Sequence, residues 1–308
     1  MPRSFMMASM RRIALLPLLL IGVTFLVFPG GESEQQLGTE ENPIIWALVP
    51  SGNTQELLAG ADRVIDLLEE RTGYRIQAVI ADDYAEVVAA IDSAPPAAHM
   101  AALNPLGAIV AADRGAAEVV LVSLRDGLPY YEGQIIASAE SGISELSGIE
   151  GTVFARVDPT SVSGWIIPQI VLLAEGIDPE ADIQLLDAGS HPAVVQAITS
   201  GVAATGATYV DAREEVTEDI PDIVERVVVV STFGPIPNDG IQLSTAIPPE
   251  VGDTIVQALL DLVATEEGAE AIAEVYDWND LVPQNDDFYD PLREIIEASG
   301  IDLGSLLN

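Results

Sequence analysis

Residues 158–165 read DPTSVSGW. Thr160, Ser161 and Ser163 place three hydroxyls within four positions, framed by Pro159 and Gly164. An apolar run, WIIPQIVLLAEG, follows at once. A strand that enters a tight turn and leaves as a helix presents free N–H groups at the positive end of that helix. A hydroxyl there either caps the helix by accepting an N–H or donates to an anion seated above it. One hydroxyl suffices for a cap, and three exceed that need. The pattern alone leaves both readings open.

Four other side chains are candidates for the same chemistry. His191, in AGSHPAVV, has a ring N–H that suits an anion, or it is simply a polar residue opening a helix. Tyr84, in ADDYAEVV, either packs in the core or keeps its phenol at a wet surface. Asp239 precedes Gly240 and is a site acid or a turn former. Asp211 follows a short apolar strand. The second histidine, His99, lies in an apolar strand with no metal-ligand spacing around it and reads as a satisfied core residue. Trp165 reads as packing.

Composition excludes several functions. The chain has 308 residues and no cysteine, so disulfides, thiolate metal sites, iron–sulfur clusters and thiol nucleophiles are out. The motifs Gly-x-Ser-x-Gly, HExxH and Walker A do not occur. Ser190 beside His191 is adjacency in sequence and makes no triad. The chain is therefore read as a binder without cofactor or metal, not an enzyme. Its formal net charge is −37, from 49 acids against 12 bases, and every base is arginine. Such a field repels nucleic acid and anionic lipid surfaces. Any anion must then be held by short-range neutral donors: helix N-termini, hydroxyls, an imidazole.

The elements that must position these groups alternate. Arg3, Arg11 and Arg12 precede the apolar stretch 13–28, which has the layout of a secretory signal or an uncleaved membrane anchor. Either makes the remainder extracytoplasmic, with membrane contact only through residues 13–28. Residues 29–42 are acidic, lack periodicity and read as a flexible tether. From Ile44, apolar strands alternate with helical patterns, as in IIWALV followed by a helix that sets Leu58, Ala61, Ile65 and Leu68 on one face. A helix is expected to open at Asn104-Pro105, another near Ser163, another near His191 and another at Pro249. Strands apolar on both faces, alternating with helices, indicate mainly parallel sheets flanked by helices. Two Gly- and Pro-rich crossings, 125–133 and 231–240, divide the α/β pattern into two lobes: 43–128 with 238–308, and 129–237. Two crossings side by side form a hinge, and a hinged pair of lobes is a ligand clamp.

The stretch DPTSVSGWIIP resembles the phosphonate-binding proteins of ABC importers. ADDYAEVVAAI, AGSHPAVVQAI, ATYVDAR and PIPNDGI resemble further family segments in the same order, over roughly residues 44–280. The resemblance implies the two-lobed type II periplasmic-binding-protein fold with a two-strand hinge. It also implies an ABC permease as partner and a small phosphorus oxyanion (phosphonate, phosphate or phosphite) as ligand. A sulfonate or other small organic anion is the alternative. A two-lobed tetrapyrrole-building transferase would need a cysteine, and a tethered sensor a cytoplasmic segment. Carried over by residue, Ser161 and Ser163 would donate hydroxyls and Val162 and Ser163 their N–H groups. His191 would donate from its ring, Tyr84 from the opposite lobe, and Ser51 and Asn53 from after the first strand. Asp239 and Asp211 stand where the family's acids receive a ligand ammonium. Three departures matter: Val162 replaces a threonine, a second tyrosine expected near Ala102 is absent, and Asp211 is shorter than the glutamate often found there.

Overall fold

The computed structural model describes residues 36–50, 54–303 and 307. The signal-like segment, the start of the tether, Ser51 and Asn53 lie outside the described residues. The chain begins with β1 (Ile44–Leu48), α1 (Thr54–Thr72), β2 (Ile76–Ile80), α2 (Tyr84–Asp92), β3 (Met100–Leu103), α3 (Pro105–Asp113) and β4 (Ala117–Leu124). It continues through β5 (Tyr130–Ser138), β6 (Val153–Arg156), a π-helical turn (Val162–Ile166), α4 (Ile167–Ala174), β7 (Gln184–Asp187), α5 (His191–Thr199) and β8 (Thr205–Tyr209). Then come α6 (Ile223–Arg226), β9 (Val227–Pro237), β10 (Gly240–Ser244), α7 (Pro249–Val263), α8 (Glu266–Tyr276), β11 (Asp280–Pro283) and α9 (Asp290–Ser299).

Two sheets result, one in the order β11-β4-β10-β3-β1-β2 and one in the order β7-β6-β8-β5-β9. β1 pairs in parallel with β2 and β3, and β6 with β7 and β8. The remaining pairs are antiparallel: β10 with β3 and β4, β11 with β4, and β5 with β8 and β9. Both sheets are thus mixed, where the alternation of strands and helices led to the expectation of mainly parallel ones. The reason lies in the crossings. Parallel neighbours within one lobe are joined by long, mostly helical crossovers, whereas a strand that enters from the other sheet is under no such constraint on its direction. β5 and β10 are such strands: the chain leaves the first sheet after β4 and returns after β9.

The helices form where their apolar spacing meets a sheet. On α1 the buried face is Leu57, Ala61, Val64, Ile65 and Leu68, spaced three and four apart. Leu58, expected on that face, points outward at 37% exposure. It sits one residue, and so about 100°, away from Leu57. Gly60 lets α8 approach closely, since a Cβ there would lie 2.8 Å from the backbone of Glu274. α2 opens on Asp83, whose carboxylate accepts the Glu86 N–H at 2.9 Å. α3 opens on Asn104, whose side chain accepts the Gly107 N–H at 2.8 Å. Residues 36–42, read as tether, instead make a turn fixed to β2: the Arg75 N–H reaches the Gly38 carbonyl and its guanidinium reaches Glu40, both at 2.8 Å.

One apolar cluster joins both lobes, running from Val49, Ala81, Leu103 and Leu106 to Phe154, Val162, Trp165 and Ile166. Asn104 adds a polar tie, its side-chain amide donating to the Thr160 carbonyl at 3.3 Å. The lobes are therefore in contact. A second cluster packs α1, α7 and α8 on the first sheet, and a third packs α5 on the second. The return strand passes closest to its neighbour at Gly240, where a Cβ would stand 2.2 Å from the Leu121 carbonyl oxygen. No side-chain rotation relieves a clash with backbone. Gly240→Ala is expected to destabilise the chain by about 1–3 kcal/mol through overpacking. Urea unfolding should show a lower midpoint with an unchanged slope.

Candidate functional site

The three hydroxyls after β6 have three different partners. Asp158 accepts both the N–H and the hydroxyl of Thr160, each at 2.6 Å, so Thr160 serves the turn itself. Ser161 caps the helix: its hydroxyl oxygen accepts the Gly164 N–H at 3.1 Å, and its carbonyl accepts the N–H groups of Trp165 and Ile166 at 2.9 Å. Its hydroxyl proton is left to donate elsewhere. The cap needs glycine, because a Cβ on Gly164 would lie 2.7 Å from the Ser161 hydroxyl and 2.6 Å from Val157. Ser163 is buried and hydrogen-bonds the phenol of Tyr131 on β5. The N–H groups of Val162 and Ser163 have no acceptor among the described residues. The helix mouth therefore presents two backbone donors beside two hydroxyls.

Tyrosines face this mouth. Tyr84, at the start of α2, brings its phenol from the first lobe. Burial holds that phenol well above its ordinary pKa, and Tyr276, Asp239, Asp158 and Tyr131 push in the same direction. Tyr131 is pushed up to about 12, mainly by burial, with the Ser163 hydrogen bond opposing. Tyr276 donates to the Val49 carbonyl at 2.9 Å and accepts the Val49 N–H at 3.1 Å, fixing the chain just past β1. All three rings are neutral at physiological pH and so remain O–H donors.

His191 opens α5 behind its cap Ser190, which accepts the Ala193 N–H at 3.3 Å. Its ring lies against Tyr209, with centroids 4.6 Å apart. The Nδ1 atom is buried and has no partner among the described residues. Burial lowers the imidazole pKa to about 4, so the ring is neutral near pH 7. β8 packs against both α5 and the π-helical turn, which sets His191 and the serine turn on either side of one strand.

Residues 46–289 match the family described as ABC transporter, phosphonate, periplasmic substrate-binding protein. This chain belongs to that family. The phosphate-import protein PhnD of Mycolicibacterium smegmatis is 28% identical over 294 residues, covering 88% of this chain and 91% of the relative. The binding-protein component of an ABC phosphonate transporter from Pseudomonas aeruginosa superposes with a TM-score of 0.75 at 20% identity, over 84% of this chain and 87% of that one. PhnD1 of Prochlorococcus marinus (MIT 9301), solved with methylphosphonate, superposes with a TM-score of 0.73 at 13% identity, over 83% and 98% of the two chains. Those two structures share the fold of two α/β lobes.

Within this phosphonate-binding family member the two acids singled out from the sequence are already engaged. Asp239 accepts from Arg125 at 2.7 and 3.2 Å, from the Ser123 hydroxyl at 3.2 Å and from the Trp278 indole at 3.0 Å. Asp211 accepts from Arg213 Nε at 2.8 Å and Nη2 at 2.5 Å, from the Arg213 N–H at 3.3 Å and from Gln134 at 3.0 Å. Those bonds, Arg213 first, hold its carboxyl below the usual range. Tyr84, Asp239 and Tyr131 lie within electrostatic reach of one another and Tyr131 reaches Ser163, while His191 packs on Tyr209 at the end of β8 and Asp211 follows that strand, bonded to Gln134. Ser51 lies outside the described residues. His99 is a satisfied residue as expected, its Nδ1 accepting the Ile45 N–H at 3.1 Å.

Sequence reasoning missed Tyr131, Arg125 and Asn104 as site neighbours. The available signal for the first was a pair of tyrosines inside a Gly- and Pro-rich crossing of a chain only 5% aromatic. Ala102, where a ring was sought, is buried in β3, and Tyr131 stands on β5.

The neutral imidazole has a measurable consequence. Between pH 6.5, the ordinary value, and about 4, the unfolded chain binds a proton at His191 that the folded chain does not. Stability therefore rises with pH through that window and is lost as pH falls through it. The His191 C2 proton should titrate by NMR with a midpoint near 4. In His191→Gln the stability difference between pH 6.5 and pH 4.5 should shrink relative to wild type. A wild-type midpoint at or above 6.5 would contradict the burial.

Proposed function

We propose that this chain captures a small phosphorus oxyanion (phosphonate, phosphate or phosphite) in the cleft between its lobes and presents it to an ABC permease. The observation that carries this reading is the serine turn. The free N–H groups of Val162 and Ser163 stand at a helix N-terminus, beside the hydroxyls of Ser161 and Ser163. Oxygens of an anion accept from all of these at once. Tyr84 would close over the anion from the first lobe, Tyr131 would hold Ser163 in place, and His191 would donate from its ring. The names of the relatives, phosphate import in one and methylphosphonate in another, support the same ligand class.

The magnitudes agree with this assignment. Each hydrogen bond to a charged group contributes about 1.5–3 kcal/mol. Micromolar affinity corresponds to about −8 kcal/mol, and association itself costs about 4–15 kcal/mol. Five or six donors are sufficient only if they are held in place beforehand, as the cap and the tyrosine bonds do here. No reaction is required of such a site; binding energy goes into closing the lobes. The family works in the periplasm, and among the described residues no helix is long and apolar enough to cross a membrane. We assign residues 13–28 to export or anchoring of the chain.

A thermal-shift and calorimetry panel of phosphate, phosphite, methylphosphonate and methanesulfonate tests this. At least one phosphorus compound should raise the melting temperature. Ser163→Ala should weaken its binding about tenfold, equal to 1.4 kcal/mol, while keeping the wild-type circular dichroism. A panel in which only the sulfonate binds, or nothing does, would refute the assignment.

A further inference from the structure

We propose that Asn104 is a closure latch: the cleft opens only by breaking the bond that this side chain makes across it. This rests on the reading of the chain as a clamp whose lobes close, and it names a residue that sets how readily they part. Asn104 lies in the first lobe between β3 and α3, and Thr160 lies in the second between β6 and the π-helical turn. Both residues are buried. One side chain serves two elements. Its Oδ1 accepts the Gly107 N–H at 2.8 Å and caps α3, while its Nδ2 donates to the Thr160 carbonyl at 3.3 Å. A side-chain amide suits this because it carries acceptor and donor on one plane. Turning that amide over would set donor against donor and acceptor against acceptor, so its two partners fix its orientation.

Each end of the latch is held within its own lobe. In the first, Gln242 Oε1 accepts the Leu103 N–H at 2.9 Å, Pro105 restricts the backbone on the other side, and the cap itself settles the Asn104 rotamer. In the second, Asp158 accepts both the N–H and the hydroxyl of Thr160 at 2.6 Å. Little freedom is left to lose when the bond forms. The next residue, Ser161, holds the Gly164 N–H, so the latch ends one peptide from the cap of the anion-holding turn. Around it, Leu103 and Leu106 pack in one apolar cluster with Val162, Trp165 and Ile166. Such a seam favours closure without fixing direction. The amide adds a directed bond that fails once the lobes part by about 1 Å. Water replaces that bond in the open form, so the latch biases the equilibrium by a modest factor and does not lock it.

Cap and latch can be separated. Serine and aspartate cap helices about as well as asparagine does. Serine is too short to reach Thr160, and aspartate turns an acceptor toward its carbonyl. Asn104→Ser and Asn104→Asp should therefore keep the wild-type circular dichroism and lose the latch. Single-molecule energy transfer between dyes on Asp62→Cys in the first lobe and Gln196→Cys in the second reads the open and closed populations. Both positions are exposed, and a chain without cysteine takes the labels nowhere else. In phosphate-free buffer, Asn104→Ser should lower the closed-to-open ratio about three- to tenfold, and Asn104→Asp should lower it further. Stopped-flow release of inorganic phosphate or methylphosphonate should quicken by a similar factor, which loss of a cap alone would not produce. An unchanged ratio, or release no faster than wild type, in either folded variant would overturn the latch. Loss of the fold in both would overturn it too, because the side chain would then only hold the structure together. Failure of every phosphorus compound to bind would refute the oxyanion reading, and the ligand-free ratio would still decide the latch. A single distance in every variant, with and without bound phosphate, would refute closure of the lobes and the latch with it.

Discussion

The forked pair between Arg125 and Asp239 joins the two chain crossings to each other. Arg125 begins the first crossing, just after β4, and Asp239 ends the second, just before β10. Ser123 and Trp278 bond the same carboxylate, so β4 and the segment after α8 are fixed to it too. Asn238 adds two bonds, to the Ser123 and Leu128 carbonyls at 2.9 Å, and its own carbonyl accepts the Tyr289 hydroxyl at 2.9 Å. Every segment that passes between the lobes is thereby tied at one place. Both the path of β10 through the first sheet and the aim of Tyr131 on β5 depend on this junction.

A chain of net charge −37 that receives an anion faces an adverse field at long range. Salt screens that field beyond about 10 Å. What remains is local, and the donors there are uncharged: a helix mouth, the phenols of Tyr84 and Tyr131, a neutral imidazole and two serines. Cap geometry and function meet at Ser161, whose oxygen holds Gly164 and so keeps the first turn open. That turn is π-helical, with the Ser161 carbonyl receiving two N–H groups instead of one. π-helical turns are uncommon and recur at functional sites.

How much of this was legible in the sequence follows the range of each interaction. The helix openings at Asp83, Asn104 and Ser190 depend on contacts three residues away, and the residue types disclose them. Thr160 and Ser161 also find their partners locally, at Asp158 and Gly164. Ser163 does not: its partner Tyr131 lies on another strand, so no reading of DPTSVSGW alone could divide capping from donation. The pairing of Arg125 with Asp239 spans 114 positions, and the acids consequently looked available. β11 escaped notice because four residues ending in proline give almost no periodic signal. On α1 the pattern was right in kind, and the choice between Leu57 and Leu58 needed the partner helix α8 to decide it.

Every fixed cation at the junction and beside β8 is a guanidinium, in a chain without lysine. Guanidinium keeps its proton beyond pH 12, where an ammonium would have discharged. The phenols nearby resist ionisation in the same range, and the imidazole lost its proton far below it. Between mildly acid and mildly alkaline media these guanidinium, phenol and imidazole groups each keep one protonation state, so over that range a change of charge belongs to an arriving phosphorus oxyanion and not to them.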